Sequence, residues 1–319
     1  MIVGVIYALA AGLLWGLVFI TPILLPDYSG GLLSVGRYLA FGLIALVISW
    51  PDRQKLRALE RADWIEAGKL SLVGNLIYYS TLAAAIQLAE PPLPTMIIGA
   101  LPVVIAICAN LKDASLPWGK LALPLGIIAL GIACVNHEEL TLLQQSSGFN
   151  VTKHLGGAAL AFVALACWTW YPIRNSRWLQ FRPNLNSSTW ATAQGLTTLP
   201  LALLGYAGII GLSLAKGQEL SVLTVFGSTP LKYISLMFIL GFFASWLGTL
   251  FWNQASQRLP TSLAGQLIVF ETLSALLYAY LWRETSPGWL SALGIGLLMA
   301  GVVLGVRTFN KAEVAKSEH

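Results

Sequence analysis

Residues 1–26 read MIVGVIYALAAGLLWGLVFITPILLP, a run with no charged side chain. A stretch of about 20 apolar residues crosses a bilayer as a helix. No basic segment precedes the run, and it is too long for the apolar core of a cleaved leader, so it reads as a retained first membrane span.

The whole 319-residue chain shares this character, with 56% apolar residues, 10% charged residues and a mean hydropathy of +0.72. A soluble domain carries roughly a quarter charged residues. Water-soluble folds are therefore excluded, and ten spans leave no room for a large soluble domain. Hydropathy over a window of about 19 residues places spans at 3–25, 30–50, 64–88, 92–111 and 119–135. After a polar stretch come 154–173, 187–208, 232–253, 261–282 and 288–307. The predicted fold is all-α, a polytopic membrane protein of ten transmembrane helices. The runs lack period-2 alternation and are about twice the length of a barrel strand, which excludes a β-barrel. Residues 136–150, with Gln144, Gln145, Ser146 and Ser147, read as an exposed linker.

With the N-terminus inside, thirteen Lys and Arg fall in inside segments, from Arg53 to Lys316, against four outside: Lys153, Lys216, Lys232 and Arg283. That bias puts both termini in the cytoplasm and the chain in the cell (inner) membrane. It also accounts for the net charge of +5, so no nucleic-acid partner is needed to explain it. Cys108, Cys134 and Cys167 all lie in apolar segments, which argues against a disulfide framework.

The chain repeats itself. At an offset of 153, Gly4, Ala8, Ala11, Trp15 and Ser34 fall on Gly157, Ala161, Ala164, Trp168 and Ser187. Further on the offset grows: Pro91 meets Pro260, Gly131 meets Gly301, Asp113 meets Glu284 and Trp118 meets Trp289. A five-span unit is odd-numbered, so its second copy enters the membrane from the opposite side. Residues 1–150 and 151–319 thus form an inverted pair, with a substrate site expected near the midplane between them.

Polar groups inside a bilayer are costly and mark candidate pathways. Arg37 lies several residues into the second span, where it either snorkels outward or serves as a counter-charge for a substrate carboxylate or for Glu271. Glu271 sits near the middle of the ninth span, with Ser274 and Tyr278 on the same helical face, and is too short to snorkel. Ser71, Asn75, Tyr78 and Tyr79 form a polar-aromatic stripe in the third span. Ser245, Thr249, Trp252 and Asn253, with Trp246 beside them, form its counterpart in the eighth. The two stripes suggest opposite walls of one cavity, whose rings stack on a side chain or embrace an ammonium. Trp15 and Trp168 would face each other across the pseudo-twofold axis if both line the site. Pro102 is a candidate gating position. Gly12 with Gly16, and Gly301 with Gly305, are GxxxG pairs that permit close helix approach.

Trp15 and Trp168, Pro102 in mid-span, and the short turns Lys112-Asp113 before Trp118 and Arg283-Glu284 before Trp289 carry a family resemblance. Over essentially its whole length the chain resembles the ten-span members of the drug/metabolite transporter superfamily, which have two EamA-type repeats. With 12 Trp, 10 Tyr and 12 Phe it is most similar to the YddG-type aromatic amino-acid exporters. The resemblance implies a secondary transporter that exports amino acids, aromatic or bulky apolar ones favoured, by alternating access. It implies no cofactor, and as partners a small-molecule substrate and the lipid bilayer; ten helices suffice to enclose a pathway, so a functional monomer is expected. The chain departs from the pattern at Glu271, where such helices commonly carry an apolar residue or proline. Export of another metabolite or drug, and a non-transporting receptor or scaffold, remain open.

No GxxxxGK[ST] motif occurs. His137-Glu138 begins like a zinc-protease signature, but residue 141 is Thr141, so the ligand count excludes that site. His137, His154 and His319 fall in loops or the tail, and no nucleophile–base set assembles. The expectation is that the protein is not an enzyme and holds no metal.

Overall fold

The computed structural model describes every residue except 90–91, 114–115, 146–150, 218, 220, 222–224, 285 and 318–319. The described residues are helical from end to end, with no strand. The helices are α1 (Ile2–Leu24), α2 (Gly30–Ser49), α3 (Arg53–Arg57), α4 (Arg61–Leu70), α5 (Tyr78–Ala89), α6 (Pro92–Gly99), α7 (Leu101–Asp113) and α8 (Trp118–Gln145). They continue as α9 (Val151–Phe181), α10 (Ser187–Ala215), α11 (Pro230–Leu240), α12 (Gly248–Ser256), α13 (Thr261–Leu267), α14 (Val269–Arg283) and α15 (Trp289–Ser317). Two π-helical turns, Ser71–Ile77 and Gly241–Leu247, join α4 to α5 and α11 to α12.

Among the described residues eight helical segments are long and apolar enough to cross a membrane, counting Pro230–Ser256 and Thr261–Trp282 each as one segment across its turn, where ten spans were expected. The two that fall short have physical reasons. Segment 61–89 opens on charged residues and is then diluted by Asn75, Tyr78 and Tyr79. Segment 92–113 is interrupted at Ala100. The linker expectation is corrected as well: α8 runs on to Gln145, because Glu, Leu and Gln are good helix formers. That places His137 in a helix rather than a loop, and His154 likewise lies in a helix, in the first turn of α9. Ser146 and Ser147 lie outside the described residues, as do Pro91 and His319.

Burial is inverted relative to a soluble protein. Ile2, Val47, Leu204 and Leu231 are 71–80% exposed, whereas Asn175, Gln194, Thr198 and Asn253 are 0–1% exposed. An exposed apolar surface of this extent requires an apolar solvent, and Asn175, Gln194, Thr198 and Asn253 are accommodated inside because each is hydrogen-bonded.

Close packing runs through small residues. A Cβ on Gly12 would meet the backbone of Phe270 and Glu271 at 3.0–3.1 Å, and one on Gly16 would meet the Ser274 Cβ at 2.6 Å. The first GxxxG pair therefore docks α1 directly on α14. Gly131 and Gly294 do the same for α8 and α15, each lacking a Cβ that would reach the other's carbonyl at 2.8–2.9 Å. Local signals set the helix starts. The Ser29 hydroxyl accepts from Leu32 N–H at 3.2 Å, and Asn186 Oδ1 accepts from the N–H groups of Ser188 and Thr189. A third start is reciprocal: Glu60 and Asp63 cap each other's backbone at the head of α4.

Candidate functional site

The centre of the bundle is a cluster of rings drawn from both halves of the chain. Trp15, three residues after Gly12 on α1, meets Trp168 of α9 edge to face, with ring centroids 5.5 Å apart, and Trp252 of α12 at 5.4 Å. Trp168 stacks on Tyr78 of α5 at 4.6 Å and on Tyr171 at 5.1 Å. Tyr79 adds edge contacts at 6.4 Å to Tyr78 and to Tyr38 of α2. All these rings are buried. Trp15 fits because residue 248 is glycine: a Cβ there would stand 2.8 Å from the indole Nε1.

Arg37 does not snorkel. It is 8% exposed and turns inward, donating from Nε to Ser245 Oγ at 2.9 Å and from Nη2 to the Ala244 carbonyl at 3.0 Å. The π turn presents that carbonyl. The N–H of Gly248 bonds to the carbonyls of Phe243 and Ser245, bypassing Ala244. A π turn alters the regular i→i−4 ladder, and such turns recur at functional sites. The guanidinium also lies over the Tyr38 and Tyr79 rings, at 5.1 and 5.9 Å. The first π turn has the same form, with Tyr78 N–H bonding to Val73 and Asn75 and bypassing Gly74. Its polar groups go to α10: Ser71 Oγ donates to the Gln194 carbonyl at 2.9 Å and Asn75 Nδ2 to Thr198 Oγ1 at 3.0 Å.

Glu271 stands in the first turn of α14, directly after the chain departs from helix at Ile268. An acidic residue there faces the positive end of the helix dipole. It is 8% exposed, and its Oε2 has no hydrogen-bond partner. It interacts with Trp168 and, through space, with Arg37, Tyr38 and Tyr78.

Other expected site residues go elsewhere. Asn253 is fully buried in an amide network, accepting from Asn175 Nδ2 at 3.0 Å and donating to the Ser187 carbonyl at 3.2 Å. Asn175 Oδ1 accepts in turn from Trp190 Nε1 at 2.8 Å and Gln194 Nε2 at 3.3 Å, and Tyr171 donates to Gln194 Oε1 at 2.9 Å. Trp246 is half-buried, stacks on Phe242 and donates to Thr192 Oγ1 at 3.1 Å, away from the ring cluster. Pro102 is buried two residues past the break at Ala100 and lacks the N–H that would bond to Ile98. Sequence reasoning missed Asn175, Trp190 and Gln194. Ending the sixth span at 173 left Asn175 in a loop, although it falls seven residues after Trp168, on the same helical face.

The two ends of the bundle close differently. At one end, Arg174 pairs bidentately with the buried Glu66, Arg177 pairs with Asp113 at 2.8 Å, and Arg182 reaches both oxygens of Glu60 at 2.6–2.7 Å. The Arg182 hydrogen bond, and then its charge, lower the Glu60 carboxyl below the usual glutamate range. A cavity of about 490 Å³ opens beside Glu60, Asp63, Arg182 and Thr189. At the other end tyrosines bond to backbone. Tyr28 stacks on Tyr233 at 5.0 Å and donates to the Phe226 carbonyl, and Tyr233 donates to the Leu32 carbonyl, both at 2.9 Å. Among the described residues no group of three His, Cys, Asp or Glu could hold a metal, and the three cysteines are free.

Residues 2–137 match the model of the EamA-like transporter family. The chain is 49% identical over 311 residues to the inner membrane protein YtfF of Escherichia coli (strain K12), covering 96% of each chain. A solved crystal structure superposes with a TM-score of 0.69 at 16% identity, over 97% of this chain and 98% of the other. At that identity the likeness is one of fold alone.

Proposed function

The chain belongs to the EamA-like transporter family, and on that premise we propose that it is a ten-span secondary exporter of amino acids, aromatic or bulky apolar ones favoured. Its substrate binds between two inverted repeats, residues 1–150 and 151–319. The observation that carries this reading is the buried ring cluster of Trp15, Tyr78, Tyr79, Trp168 and Trp252, with Arg37 and Glu271 beside it. A soluble amino acid crossing a bilayer needs such a site: apolar faces for its side chain and fixed charges for its backbone groups.

The internal symmetry supports the repeat. The two π turns begin at Ser71 and Gly241 and have equal length. Helix breaks fall at Ala100 in one half and Ile268 in the other. In each half, then, the third membrane segment carries a wide turn and the fourth is discontinuous, which is the arrangement transporters use around a midplane site. Alternating access then works by releasing one closure at a time: the ion pairs of Arg174, Arg177 and Arg182 at one end, the tyrosine contacts of Tyr28 and Tyr233 at the other. The lysine and arginine bias makes the ion-paired end cytoplasmic.

The test is flux of labelled amino acids into liposomes holding the purified protein, down a concentration gradient and without an ion gradient, beside a Trp168→Ala variant. Saturable flux that aromatic amino acids compete for, and that falls in the variant, supports the reading. Flux of another solute class with no amino-acid competition replaces it.

A further inference from the structure

Arg37 and Glu271 are each more than nine-tenths buried, they are side chains of opposite charge type, and they share tyrosine neighbours: Arg37 lies over the Tyr38 and Tyr79 rings, and Glu271 acts through space on Tyr38 and Tyr78. They do not pair: among the described residues no salt bridge within 4.0 Å joins them. Arg37 spends Nε and Nη2 on the neutral oxygens of Ser245 and Ala244, which fix its fork in place and leave Nη1 free. Glu271 Oε2 is bare, and Trp168 is a neighbour of its carboxyl. Two buried, opposite and unpaired charges are an expensive arrangement. A ligand with one charge would relieve one of them and leave the other stranded. A ligand with both relieves both at once.

We propose that Arg37 and Glu271 are the two ends of one clamp for a zwitterion. Arg37 Nη1 takes the carboxylate and Glu271 Oε2 takes the ammonium, with Trp168 and Tyr78 beside the cationic end. The proposal rests on the amino-acid reading above and assigns its polar contacts. The geometry of each end suits its role. A guanidinium held by two bonds is a preorganised carboxylate donor, and a carboxylate among aromatic faces is a site for an ammonium. Ser245 is then a positioning residue, because it orients Arg37 without reaching the ligand. The clamp makes recognition conditional on both groups being present in one molecule, so a hydrophobic amine or acid of the same shape is rejected.

The experiment measures binding of three probes to the wild-type protein in lipid nanodiscs: L-phenylalanine, phenethylamine, which lacks the carboxylate, and 3-phenylpropionate, which lacks the ammonium. Phenylalanine is expected to bind at least about tenfold more tightly than either, the loss that follows from leaving a buried charged group unpaired. Glu271→Gln should erase the discrimination against 3-phenylpropionate and keep that against phenethylamine. Arg37→Gln should do the reverse. A merely structural role would weaken all three probes together, so phenylalanine binding with both ratios unchanged in both variants overturns the clamp while leaving amino-acid export standing. Wild-type protein that binds either single-charge analogue as tightly as phenylalanine overturns the clamp without any variant having to fold. Absence of binding for all three, with no amino-acid flux into liposomes, overturns the clamp and the amino-acid reading together.

Discussion

Trp15 and Trp168, 153 residues apart in the sequence, touch edge to face at 5.5 Å, with their ring planes 67° apart. Residues of the two halves thus meet at the centre of the bundle, and Trp168 extends the contact onto Tyr78 and Tyr171. Truncating either indole to alanine should lower flux. A double-mutant cycle on unfolding should give a coupling of about 0.5–1.5 kcal/mol, the range for aromatic pairs. Strictly additive losses would show that the rings pack independently.

Gly16→Ala should destabilise the protein by about 1–3 kcal/mol, the usual cost of forcing a group into a packed interface, because the new Cβ would meet Ser274 Cβ at 2.6 Å. Gly126→Ala is the control. Nothing stands within 4 Å of its Cβ position, so the helix should hold or gain up to about 1 kcal/mol. Unfolding in detergent micelles reads both, and equal shifts would remove the close approach of α1 and α14 as the cause.

Pro102→Ala restores a backbone donor toward Ile98 and should join α6 to α7 across Ala100. Amide exchange over 98–104 is expected to slow while flux falls, because a continuous helix loses its bending point. Slower exchange with unchanged flux would assign the break to packing alone.

Asn175→Leu should cost about 1–3 kcal/mol, since Trp190 Nε1 and the Gln194 and Asn253 amides lose their common partner. Hydrogen bonds between membrane helices average less than in water, which favours the lower half of that range. Thermal unfolding reads the loss, and a neutral result would mean that the indole and the two amides repartner.

The Glu60–Arg182 pair gives a pH dependence with a definite sign. Its folded carboxyl is held below the ordinary glutamate value, so its contribution is fully present above about 4.3 and fades as pH falls through the folded value. The melting temperature of Glu60→Gln should therefore lie below that of wild type near neutrality and converge with it in acid. Both residues are partly exposed to solvent, so high salt should shrink the gap. A gap that persists in acid would trace the effect to the helix cap instead.

The sequence by itself determined the solvent and the helices. An apolar run such as 1–26 has no stable place in water, and a backbone in lipid must bond to itself, so the all-helical state and most of the span positions follow from residue type and spacing, as does the capacity of the first GxxxG pair for close approach. Arg37 and Glu271 were legible as candidates for the same reason, because a charge inside an apolar span is never casual, but the sequence left Arg37 free either to snorkel outward or to turn inward. Where those charges point was decided by the tertiary structure alone. Hydropathy does not register a π turn, and it is the Ala244 carbonyl that turn presents, with the Ser245 hydroxyl, that holds Arg37 inward. Likewise Asn253 and Trp246 share a helix with Trp252, yet the neighbours that α9 and α10 supply give Asn253 to an amide network and Trp246 to Thr192. A side chain's chemistry is written in its own residue, but its partner comes from another segment of the chain, and only packing brings the two together.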